Sequence, residues 1–72
     1  MTRPFRLYDA KTRLFLRWRC YSIRQNAHMG ALRQCRWAKV GTTIEVIDTS
    51  RGKAKMLGQY TRKVNTIYFL GE

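Results

Sequence analysis

Acidic residues are scarce in this chain. Four Asp and Glu stand against fifteen Lys and Arg in 72 residues, for a formal charge of +11. Between Asp9 and Glu45 there is no acid at all, yet Lys11, Arg13, Arg17, Arg19, Arg24, Arg33, Arg36 and Lys39 all fall in that interval. Bases without acids nearby in sequence are not neutralised locally, so the charge points outward to a polyanionic partner. The acids that exist, Asp9, Glu45, Asp48 and Glu72, are scattered, and they form no carboxylate pair, nucleophile elbow or Gly-rich phosphate loop. An enzyme is not expected.

Cysteine is nearly as scarce. Cys20 and Cys35 are too few for a secreted disulfide framework. With His28 they offer three ligands in a Cys-x7-His-x6-Cys order, which fits no usual zinc spacing. Buried, reduced thiols are the expectation, with no metal and no cofactor. No apolar run approaches the roughly 20 residues of a membrane span, and Met1-Thr2-Arg3-Pro4 leads into no apolar signal core. These absences point to a cytoplasmic protein that makes no membrane contact. Repeats, low-complexity segments and linkers are missing too, so residues 1–72 read as one small domain.

What is present is a folding chain. Hydrophobic residues make up 44% and recur with regular spacing. A domain of this size buries only about 60% of its unfolded surface, and such chains often gain stability from a disulfide, a metal or a second subunit. A homodimer is expected.

The most regular stretch is Arg13-Leu14-Phe15-Leu16-Arg17-Trp18-Arg19-Cys20-Tyr21. As an extended strand it puts Leu14, Leu16, Trp18 and Cys20 on one face, expected in the core, and Arg13, Phe15, Arg17, Arg19 and Tyr21 on the other. Guanidinium groups interleaved with aromatic rings suit a polyanion with stackable bases. Ten of the fifteen basic residues are Arg, whose planar fork grips phosphate bidentately.

The remaining elements follow from period and punctuation. Phe5 to Tyr8 alternates as a first strand, turned back by Asp9-Ala10-Lys11-Thr12 onto the central strand at 13–21, which places Tyr8 near Phe15 and Tyr21. Ser22 is the expected N-cap of a helix over 23–38. Its inward stripe is Ile23, Ala27, Ala31, Cys35 and Ala38, and its outer side carries Gln25, Met29, Arg33 and Arg36. His28 falls near the edge of that stripe and reads as a packed or half-exposed histidine and not a functional one. Gly41 is the expected helix stop. Thr42 to Asp48 reads as a strand with Ile44 and Val46 inward, and Thr49-Ser50-Arg51-Gly52 as a turn. A long strand follows over 53–63, sorting Ala54, Met56 and Tyr60 against Lys55, Leu57, Gln59 and Thr61. Its Gly58 marks a bulge or close contact. Ile67 to Leu70 closes the chain.

The order β-β-α-β-β-β reads as an α+β fold, a small antiparallel sheet of four to five strands with one helix packed across a face. The expected function is nucleic-acid binding, to DNA or RNA, with limited sequence specificity. The expected residues are Arg13, Phe15, Arg17, Arg19, Tyr21, Arg33 and Arg36. The Gly-aromatic pattern of sheet-based RNA readers is absent, and a single helix makes no helix-turn-helix pair. Arg51, Lys53, Lys55, Arg62 and Lys63 form a second basic region, suited to phosphate contact or to blunting a strand edge. The alternative is a phage- or plasmid-type interaction or inhibitor protein that docks on an acidic or nucleic-acid-binding surface of a host protein.

Overall fold

The computed structural model describes residues 3–71, with Trp18 described by its backbone alone. The expected place of the Trp18 side chain in the core therefore lies outside the described residues. Alternating apolar and β-branched residues form five strands: β1 (Phe5–Asp9), β2 (Leu14–Tyr21), β3 (Thr43–Asp48), β4 (Lys55–Arg62) and β5 (Ile67–Gly71). One helix, α1 (Arg24–Arg36), follows β2. The strands pair antiparallel throughout, in the order β2-β1-β3-β4-β5. The α+β fold is the one the sequence pattern indicates. The strand at 13–21 was expected to be central, but it lies at an edge, and β1 and β3 occupy the middle.

The core lies between α1 and one face of the sheet. Leu7, Ile44, Val46, Leu57 and Tyr60 pack with Ala27, Ala31 and Cys35 of the helix, and Phe5, Leu16, Tyr21 and Ile67 close the margins. The three buried helix residues are small and spaced by four, which brings the helix axis close to the sheet. Ile23 and Ala38, expected in the same stripe, fall beyond the helix ends, and Ile23 is exposed.

Helix entry differs from expectation. Ile23, not Ser22, is the N-cap; it is extended (φ −118°, ψ 128°) and supplies no side-chain hydrogen bond. Tyr21 explains the approach of the chain: its ring lies against Gly30, where any Cβ would collide with the hydroxyl and ring. At the other end Trp37 and Ala38 continue the turn with N–H groups on Gln34 O (3.3 Å) and Cys35 O (3.2 Å). Gly41 (φ 96°) then redirects the chain, donating to Arg62 O at 2.8 Å, so it steers the entry into β3 and does not stop the helix itself.

Two register irregularities decide which side chains share a face. Between the pairs Arg6↔Cys20 and Tyr8↔Phe15, two steps along β1 are matched by five along β2. An odd excess reverses the phase of the strand, so side chains on either side of it follow opposite alternation. In β4 the register shifts opposite Val46/Ile47, and Leu57, expected with Gln59 and Thr61, is buried with Tyr60 instead. Gly58 fulfils both roles read from the sequence. It lies at this shift, and a Cβ there would come within 2.7 Å of the Phe69 ring.

Candidate nucleic-acid interface

Cross-strand partners share a face, so the register sorts the sheet into a covered and an uncovered side. Leu7 and Val46 face α1; Arg6, Tyr8, Glu45, Ile47, Met56, Gln59, Thr61, Tyr68 and Leu70 face away. On this open side Tyr8 and Phe15 meet edge to face, with ring centroids 5.1 Å apart. The Arg6 guanidinium sits 4.3 Å over the Phe15 ring. Among the described residues Arg6 Nε is buried with no hydrogen-bond partner, and the ring face offers that cation a favourable contact. Phe15 is 37% exposed, and its ring is already engaged on a face and an edge.

The single basic-aromatic face expected of β2 is therefore split. Phe15 and Cys20 lie on the open side, and Arg19 and Tyr21 turn to the helix side, because the odd excess between them reverses the alternation. Tyr8 accordingly neighbours Phe15 and not Tyr21. Arg17 is exposed within the irregular stretch. Arg13 leaves the strand altogether: it closes the β1–β2 turn at φ 61°, donating its N–H to Asp9 O at 2.8 Å. Leu14, expected in the core, pairs with Asp9 at the end of the sheet and is 66% exposed.

On the helix side the expected residues draw together. Arg19 and Tyr21 of β2 and Arg33 and Gln34 of α1, with Asn26 and Met29, line a cleft of about 240 Å³. With the Gln34 amide oriented so that its oxygen faces β2, that oxygen accepts from Arg19 Nε at 2.9 Å and Nη2 at 3.0 Å. The fork of Arg19 is thereby held across the gap between strand and helix. Arg33 also lines the groove on the other flank of the helix, with Leu32, Arg36 and Ile67. Sites for whole small molecules span roughly 300–1,000 Å³. A 240 Å³ cleft flanked by two guanidiniums is better matched to a phosphate or a single nucleotide fragment.

Trp37 was not among the residues picked out from the sequence. It is the residue after α1, directly following Arg36, and is 83% exposed, the largest exposure among the exposed large hydrophobics. The signal for it was present: a Trp between Arg36 and Lys39, off the Ala27-Ala31-Cys35 stripe.

The second basic region gathers a different set of bases from the one expected. Arg24 at the start of α1 joins Arg51, Lys53, Lys55, Asp48 and Leu57 around a cavity of about 220 Å³. Asp48 caps the turn, accepting from Ser50 N at 2.9 Å. Its hydrogen bonds to Ser50, then the charges of Arg51 and Lys55, hold its carboxyl below the usual range. Arg62 and Lys63 lie apart from this cavity, at the end of β4.

His28 is packed, as its position suggested. Its Nδ1 lies 2.7 Å from the Tyr60 hydroxyl, and its ring meets Tyr60 and Phe69 edge to face. Burial first, and Arg24 second, lower its pKa below the ordinary 6.5. Both cysteines are free thiols. Cys35 is buried, with Sγ donating to Tyr60 O at 3.3 Å, and burial raises its pKa. Cys20 is only half-buried. Among the described residues no three His, Cys, Asp or Glu side chains gather as a metal site, and no helix is long and apolar enough to cross a membrane.

Comparison with protein-family models, curated proteins and solved structures finds no match for this chain.

Proposed function

We propose that this protein binds nucleic acid through the outer side of α1 and the adjoining end of β2, contacting the backbone more than the base sequence. One observation carries the reading. Arg19 and Arg33, from separate elements, flank the same cleft, Arg33 and Arg36 line the groove on the helix's other flank, and the exposed Trp37 follows Arg36 in the chain. Arg19 and Arg33 would hold phosphates, since guanidinium forks match phosphate oxygens. Trp37 offers a π-face to an unpaired base, an interaction worth about 1–3 kcal/mol per base. A net charge of +11 supplies attraction at distance.

The role is binding and not catalysis. Asp9 and Asp48 accept backbone hydrogen bonds in turns, from Lys11 N (2.9 Å) and Ser50 N (2.9 Å), and so act as turn caps. Free thiols at Cys20 and Cys35 suit the reducing cytoplasm. A second reading draws on the same surface: an exposed Trp beside Arg and Met is also the composition of a protein-docking hot spot, here for an acidic surface on a host protein.

The test is fluorescence anisotropy with labelled single-stranded and duplex DNA and RNA over a range of salt. Binding whose affinity falls steeply with salt supports the reading, with a log–log slope near −0.7 to −0.9 per phosphate contact. No binding at low salt would turn the assignment to the protein partner, to be sought by affinity capture after nuclease treatment.

A further inference from the structure

The open side of the sheet has the wrong composition for water and the wrong charge for nucleic acid. An antiparallel sheet with one solvated face normally turns polar residues outward. Here every strand contributes a large apolar or aromatic residue to that side: Phe15, Tyr8, Ile47, Met56, and both Tyr68 and Leu70 from β5, of which Ile47 is buried beneath its neighbours. Tyr68 is 56% exposed, and Leu70 and Met56 are about half exposed. The charges fixed on this side by the pairing are one base, Arg6, and one acid, Glu45, which cancel. In a chain of net +11 this is a face of no net register-fixed charge, with exposed apolar residues set among the uncharged Thr43, Gln59 and Thr61.

We propose that the occupant of this face is a second copy of the chain, the two sheets packing face to face about a two-fold axis. Charge selects that partner. Two chains of +11 repel wherever their helix sides or turns meet, but their open sides approach without apposing like charges. A two-fold contact is self-complementary, so Arg6 of one protomer and Glu45 of its partner can pair across it. Size sets the strength. Five strands about 4.8 Å apart, each running about 17–26 Å, give a planar face of roughly 400–600 Å². Two such faces total about 800–1,200 Å², the low end for a specific interface, so the dimer is weak and reversible.

Packed sheets lie about 10 Å apart, and each helix covers the far side of its own sheet. The two α1 helices then face opposite directions, on the order of 30 Å apart. If the proposed nucleic-acid reading holds, the dimer carries two binding surfaces that point away from each other and would bridge two strands or duplexes.

Sedimentation velocity without nucleic acid tests the dimer by itself, so its outcome does not depend on whether the chain binds nucleic acid. From low to high micromolar concentration the mass should rise from 8.6 kDa towards about twice that value. Leu70→Lys and Met56→Lys, each checked for native circular dichroism, should raise the dissociation constant at least tenfold, and Leu32→Lys on the helix side should leave it unchanged. Met56 separates face from edge, because it sits on β4, inside the sheet. A mass of 8.6 kDa at every concentration overturns the proposal. So does a dimer broken by Leu70→Lys but indifferent to Met56→Lys, which would be edge pairing of β5, and so does one broken by Leu32→Lys.

Discussion

The two sides of this sheet differ in what they expose. On the helix side Arg19, Arg33 and Arg36 gather around α1, with Met29, Leu32 and Trp37 also exposed there and the core buried beneath. On the open side Phe15, Met56, Tyr68 and Leu70 are exposed without a cluster of bases, and the one register-fixed base is laid over an aromatic ring. The difference arises from the irregular pairing of β1 and β2. A continuous β2 would have put Arg19 and Tyr21 beside Phe15, making one mixed surface. The odd excess sends them to opposite sides and separates a charged surface from a neutral one.

The most drastic way to break the contrast is to remove what holds both sides in place. Leu7 lies fully buried on a strand paired on both flanks. Leu7→Ala should cost about 2–5 kcal/mol, a large part of the total for so small a domain. Urea denaturation followed by circular dichroism would show a much lower midpoint, with both surfaces lost together.

A sharper cut removes charge from one side only. Arg19→Ala with Arg33→Ala should weaken nucleic-acid binding by ten- to a hundredfold, at about 1.4 kcal/mol per factor of ten. The salt slope should become shallower by nearly two units if each side chain holds one phosphate. Trp37→Ala should weaken single-strand binding by about 1 kcal/mol or somewhat more, a loss of roughly fivefold on the same titration, and should spare duplex binding.

Smaller effects report on the packing behind the helix. The folded-state pKa of His28 lies below 6.5, so the unfolded chain takes up the proton first. Stability is therefore full above pH 6.5 and declines as the pH falls through the window beneath it. Unfolding midpoints at pH 7.5 and 5.5 should show the loss, and His28→Gln should flatten it. The smallest change concerns Arg13. A non-Gly residue at φ 61° is strained, so Arg13→Gly should raise stability by up to about 1 kcal/mol, seen as a higher urea midpoint.

Much of this architecture was legible in the sequence because strand and helix periods are local properties. Phe5 to Tyr8, Ile44 with Val46, and the Ala27-Ala31-Cys35 stripe all announced their elements within a few residues. Strand order was not legible, since nothing in Leu14 to Tyr21 says whether a second neighbour lies beyond it. The phase reversal in β2 was hidden for another reason. No Gly or Pro marks it, and Leu, Arg and aromatic residues alternate smoothly through it, so the pattern suggested one face where there are two. Gly58, by contrast, did flag the shift in β4. Trp37 was not legible from period, because it lies off the Ala27-Ala31-Cys35 stripe, and only its company of Arg36 and Lys39 marks it as exposed.

The most direct measurement compares the two sides in one experiment: salt-titrated anisotropy on Arg19→Ala/Arg33→Ala and on Phe15→Ala/Tyr68→Ala, each with native circular dichroism. The helix-side pair should lose affinity and salt dependence, with the open-side pair binding as the unaltered chain does. Loss confined to the open-side pair would mean that bases stack on the uncovered sheet, and the division of labour drawn between the two sides would be contradicted.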